Sequence, residues 1–171
     1  MRLLTLFFLL LPFTGVCSET YINKEARFKV TFPAEYDEQT ERAEGMTSVS
    51  VSCIYRGMMF FVSAFIYDEI IPKDQYATKI AEGIIITADS FNSKFKKRKL
   101  EGWTVDNQYP GLSNPIKGKL ENPQGKKMKI IGAMNICMAH NIEFRISAFS
   151  SKKKDYEEDV VEDYVNSFSI L

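Results

Sequence analysis

Residues 47–67 constrain the fold most. Thr47 to Tyr55 alternates with a period of two, placing Val49, Val51, Cys53 and Tyr55 on one side and Ser48, Ser50 and Ser52 on the other. Arg56-Gly57 follows as a tight-turn pair, and Met59 to Tyr67 (MFFVSAFIY) is a denser apolar run. Alternation of this kind is what a half-buried strand requires, and a two-residue connection allows only an antiparallel hairpin. The denser second run predicts that its strand lies inside a sheet. Any fold for this chain must therefore contain a sheet and enough apolar surface to cover it.

The pattern then changes period. From Asp74, which suits a helix N-cap, apolar residues fall at Ala77, Ile80, Ala81, Ile84, Ala88, Phe91 and Phe95, all on one helical face. This spacing predicts a helix over about 74–93. Gly83 and the β-branched run Ile84 to Thr87 weaken its intrinsic propensity, so packing on the sheet has to hold it. Upstream, Phe28, Val30 and Phe32 alternate in a strand ended by Pro33, and the polar stretch 34–46 reads as a loop. Downstream, strand signals lie at about 98–106, 114–120, 127–138 and 142–149. Asn122-Pro123-Gln124-Gly125 and His140-Asn141 serve as turns between them. Residues 155–167 read as a terminal helix with Glu157 and Glu158 in its first turn, where the helix dipole favours anions. The order is three strands, a helix, four strands and a helix. With short connections, that predicts an α+β fold: an antiparallel sheet of about six or seven strands flanked by helices.

The segment 1–18 stands apart from this pattern. Arg2 is its only charge, and Leu3 to Phe13 is an apolar run with only Thr5 polar. It is too short to span a bilayer, which takes roughly 20 residues. Pro12 and Gly15 break it, and small residues follow that suit cleavage after Cys17 or Ser18. The reading is a secretory signal peptide at 1–18 and one globular domain at 19–171, exported to a periplasm or secreted. A Cys at such a boundary raises a second form, in which Cys17 is lipidated and tethers the domain to a membrane. No other long apolar run occurs, so no transmembrane segment is expected in the mature chain.

With Cys17 removed, Cys53 and Cys137 remain, and an even pair in an exported protein raises a disulfide. It would close a loop of about 85 residues, contributing roughly 4 to 5 kcal/mol in the chain-entropy model. The alternative is two small hydrophobes buried in strands.

The chain carries 22 basic and 22 acidic side chains, a balance that argues against a nucleic-acid binder. No GxGxxG, P-loop or GxSxG pattern is present, so no nucleotide cofactor or hydrolase elbow is indicated. His140 is the single histidine. Cys137 and His140 form half a metal site with no second half, so neither metal nor catalytic residues are assigned. Three features could meet a partner: a basic cluster, a second basic patch at Lys152, Lys153 and Lys154, and an aromatic pair. The cluster Lys94, Lys96, Lys97, Arg98 and Lys99 could meet an anionic surface, or simply complement a helix C-terminus. Trp103 and Tyr109 lie ahead of a Pro110-Gly111 turn, although Trp103 also reads as core filler.

The motifs RFKVTFP, NQYPGLSNPIKGKLENPQGKKMKI, FRISAF and YVNSFSIL together resemble the PsbP/Mog1-like superfamily over about residues 21–171. The resemblance implies an α/β/α sandwich around an antiparallel sheet. Relatives include a photosystem accessory protein, a nuclear-transport factor and bacterial envelope proteins. These mostly act as binding or assembly modules, with no shared catalytic motif to carry over. The leading expectation is a non-catalytic exported domain acting on a protein or envelope partner. Two alternatives stand beside it: a small secreted or periplasmic hydrolase using scattered Asp, Ser and His140, and an anionic-lipid-binding module using Lys94 to Lys99.

Overall fold

Arg56 and Gly57 both take positive φ (48° and 78°), the geometry of a two-residue hairpin turn matched to strand twist. Tyr55 and Met58 pair directly across it. This hairpin seeds the larger of two sheets in the computed structural model, which describes residues 18–90, 101–121 and 127–171. The strands are β1 (Glu19–Asn23), β2 (Phe28–Phe32), β3 (Asp37–Ala43), β4 (Met46–Tyr55), β5 (Met58–Tyr67), β6 (Glu101–Val105), β7 (Tyr109–Glu121), β8 (Lys127–Ala139), β9 (Ile142–Ser150) and β10 (Ser169–Ile170). The helices are α1 (Tyr76–Ser90) and α2 (Glu158–Ser167). Seven strands form one antiparallel sheet in the order β3-β4-β5-β9-β8-β7-β6, and β1-β2-β10 form a second, smaller sheet. The expected α+β architecture is thus observed, with β5 inside the sheet as its apolar density required.

Some boundaries differ from the sequence expectation, each for a physical reason. Residues 37–43 form edge strand β3, not a loop. Every residue in it is exposed, so neither face leaves an alternation to read. Helix α1 begins at Tyr76, and Asp74 lies in a preceding 3₁₀ turn with Pro72 in the capping position. Likewise Lys153–Asp155 is a 3₁₀ turn, and α2 starts only at Glu158. The segment 1–17, with Cys17, lies outside the described residues, as do the cluster Lys94 to Lys99 and the turn 122–126.

The two faces of the large sheet are covered differently. On one, α2 and the small sheet enclose an aromatic core. Phe28 meets Phe144 at 5.8 Å between ring centroids, Phe144 meets Phe168 at 5.4 Å, and Phe60 meets Tyr164 at 5.1 Å. Cys53 and Cys137 are both buried on this face and both free. Cys53 is on β4 and Cys137 on β8, with β5 and β9 between them. Three strand spacings amount to about 14 Å, twice what a disulfide can bridge. The two cysteines therefore act as small core residues, and the disulfide is not formed. Burial pushes the Cys53 thiol up from 9.0 to about 11 and drives that of Cys137 higher still.

On the other face, α1 lays Ile80 and Ile84 over Ile116, Ile130, Met134, Ile136 and Met138. This core also contains charge. Glu143 of β9, only 2% exposed, accepts hydrogen bonds from the Tyr67 hydroxyl (2.8 Å) and from Arg145 Nε (2.6 Å). The Arg145 guanidinium stacks 4.5 Å over the Phe65 ring. Gly83 lets α1 descend onto this carboxylate, since a Cβ there would stand 2.6 Å from Glu143 Oε1. A helix glycine that is a defect by propensity is thus a requirement of packing.

Candidate functional site

Between the start of α1 and the β7/β8 end of the sheet lies an open groove of about 1030 Å³. One wall is the connector Ile70–Pro72 with Lys73, Tyr76 and Ile80. The facing wall comes from the start of β7, including Tyr109, Pro110 and Leu112, and from Met138 and His140. Ile70 is 87% exposed, the highest value among the described large hydrophobic residues. An isolated exposed isoleucine is ordinary, but one at the lip of an apolar groove extends that groove to solvent.

The groove holds its shape through one side chain. His140 and Asn141 form the β8–β9 turn with φ of 52° and 66°, a left-handed pair for which Asn is well suited. From there Asn141 uses its whole amide on the connector. Its Oδ1 accepts from the Ile71 backbone N–H at 2.6 Å. Its Nδ2 donates to the carbonyls of Tyr67 (3.0 Å) and Glu69 (2.9 Å). The backbone N–H of Asn141 donates to the Tyr76 hydroxyl at 3.1 Å. Asn141 thereby ties two points of the irregular connector, Glu69 and Ile71, together with the end of β5 and the start of α1, so the wall does not depend on its occupant for order.

The sequence-predicted residues divide across this geometry. Tyr109 lines the groove, its hydroxyl 3.0 Å from His140 Nε2 and its ring edge-on to the imidazole at 5.6 Å. Trp103 does not reach it. The indole is half-buried against Phe168 and lies over Gly111, directly across the β6–β7 pair, where any Cβ would collide with it. Trp103 thus belongs to the aromatic core, as the filler reading had it. Cys137 faces that core as well, away from the exposed His140, so the two do not form half a metal site. Among the described residues, no three His, Cys, Asp or Glu side chains come together. Lys152 to Lys154 lie beyond the far end of β9, a strand's length from the groove.

Chemically, the groove offers mainly apolar surface. Among the described residues, its lining includes no Ser, Thr, Cys, Asp or Glu. His140 has Tyr109 beside it, not a nucleophile and not a carboxylate to orient the ring. Sequence reasoning missed both Asn141 as an organiser and Ile70 as a contact. The only available signal was an Asn at a predicted strand-to-strand turn, and that does not say how far its side chain reaches.

No family model matches this sequence, and no curated protein matches it. Solved structures do match. The solution structure of cyanobacterial PsbP (CyanoP) from Synechocystis sp. PCC 6803 superposes with a TM-score of 0.60 at 10% identity, covering 92% of this chain and 95% of that one. A Bacteroides thetaiotaomicron VPI-5482 crystal structure superposes with a TM-score of 0.50 at 16% identity. It is matched over 89% of this chain, which spans only 48% of the Bacteroides chain. At such identities the likeness is one of fold. The chain has the PsbP-like fold, a seven-stranded antiparallel sheet with a helix packed on each face.

Proposed function

We propose that this chain is an exported, non-catalytic accessory domain that binds a protein or envelope partner through the groove beside α1. The observation that carries this reading is the groove itself: apolar walls, a connector held by Asn141, and, among the described residues, no nucleophile or carboxylate in its lining. The PsbP-like fold is consistent with an accessory role, and the apolar, once-charged segment at residues 1–18 supports export. The hydrolase alternative would need a nucleophile within hydrogen-bond reach of His140, where the structure places Tyr109.

The test is affinity capture with the C-terminally tagged full chain from its native envelope or secreted fraction. Ile70→Asp charges the groove, and Ile54→Asp charges an exposed isoleucine on β4 as a control. A partner retained by wild type and Ile54→Asp but lost by Ile70→Asp supports the proposal. Equal recovery by all three, or by none, overturns it. The intact mass of the protein from the same fraction tests export, since processing after Cys17 or Ser18 and lipidation of Cys17 give different masses.

A further inference from the structure

We infer that the groove takes an amphiphile with an apolar chain and an anionic head group, a refinement that rests on reading the groove as a binding site. Its walls present Ile70, Tyr76, Ile80, Tyr109, Leu112 and Met138 around a volume of about 1030 Å³, at the upper end of small-molecule sites. Each methylene buried in such a site is worth about fourfold in affinity, so an alkyl chain is the natural body for the ligand.

The charges choose the head group. Among the described residues, Lys73 is the one fully charged residue of the lining; it sits on the exposed 3₁₀ turn that begins the α1 wall. No carboxylate among the described residues opposes it inside the groove: Glu69 and Asp74 neighbour the wall in sequence but are not part of its lining. The remaining polar groups are Gln108, the Tyr109–His140 pair, the Tyr76 hydroxyl and Asn141. The Asn141 amide is already committed to the connector. The lining thus offers an ammonium group at the rim and apolar surface below it, a distribution complementary to a carboxylate- or phosphate-headed chain and opposed to a cationic one. Because Asn141 holds the connector, Ile70 stays extended to solvent and can close on a chain without first being ordered.

Titration of the full chain with decanoate, decanol and decylammonium separates body from head. Decanoate is expected to bind saturably at one site and about tenfold tighter than decylammonium, with decanol between them. Lys73→Gln should bring decanoate down to the level of decanol, and Ile70→Asp should weaken decanoate at least about tenfold. Both residues are exposed, so unchanged circular dichroism and melting temperature certify the variants. Three results would overturn the inference: no saturable binding of decanoate below millimolar concentration, decylammonium binding as tightly as decanoate, or no effect of Lys73→Gln. Partner capture that still depends on Ile70 after such a failure would leave the groove as a protein-binding site and remove only the amphiphile.

Discussion

The two faces of the seven-stranded sheet are built to different standards. The α2 face is filled by interlocking aromatic rings contributed by both sheets and by α2 and its C-terminal flank, and its buried polar groups are few: Asn135, Ser150 and the unpaired Tyr164 hydroxyl. The α1 face has a smaller aliphatic core and admits a buried carboxylate, a fully buried Asn114 with both amide atoms unpaired, and an open groove at one end. Close packing is what fixes a fold, while buried polar groups and empty volume cost stability. The contrast teaches that the first face holds the structure together, and the second is where surface and volume are kept for binding.

The largest expected effect lies on the α2 face. Phe144→Ala removes a ring that touches both Phe28 and Phe168, linking the two sheets, and should cost about 3 to 5 kcal/mol in urea denaturation. A loss as small as that of a surface change would break the comparison. On the α1 face, Gly83→Ala should destabilise by about 1 to 3 kcal/mol, because Glu143 is held by Tyr67 and Arg145 and cannot yield to the new methyl. At an unobstructed helix position the same change would stabilise by roughly 1 kcal/mol, so the sign alone decides. Asn114→Leu should raise stability by about 1 to 2 kcal/mol, since it replaces an unpaired buried amide with an apolar side chain of similar size.

A pH series tests the burial of the cysteines and of Tyr67. The Cys53 thiol is pushed up to about 11 by burial, and the Tyr67 hydroxyl is also raised, first by burial and then by the Glu143 carboxylate. Both groups hold their protons more tightly in the folded than in the unfolded chain. The Cys53 contribution is therefore complete below the ordinary thiol value of 9.0 and is lost as the pH climbs toward 11, whereas that of Tyr67 is complete below the ordinary phenol value of 10.0 and is lost only at higher pH still. Cys53→Ala should flatten that decline, with the slope of denaturation free energy against pH as the readout. The smallest effect belongs to Ile70→Ser, expected to change stability by less than about 0.5 kcal/mol because the side chain is solvent-exposed.

The sequence is legible where local pattern and burial coincide. The Thr47–Tyr67 hairpin shows because alternate residues face an apolar core and because Arg56-Gly57 can supply the turn. Strand β3 is invisible because a fully exposed edge writes no period into its side chains. The cysteine pair fails for a different reason: two buried strand cysteines look alike whether their strands are neighbours or three positions apart, and strand order is a long-range property. The groove was half legible. Tyr109 and the His140-Asn141 turn stand out in the sequence. Their convergence with Ile70 depends on side-chain reach across more than sixty residues of chain, as in the bond between Ile71 and Asn141. Glu143 and Arg145 mark the α1 face by their two-residue spacing in an otherwise apolar strand, but nothing local predicts Gly83 above them.

The most direct test of the division between the faces is site-specific photo-cross-linking in the native envelope or secreted fraction. A cross-linking side chain is placed in turn at Ile70 on the groove, at Ile22 on β1 and at Ile54 on β4, all exposed. A discrete adduct at Ile70, competed away by excess unlabelled protein and absent at Ile22 and Ile54, is the predicted result. Adducts concentrated at Ile22 or Ile54, with Ile70 silent, would contradict the account.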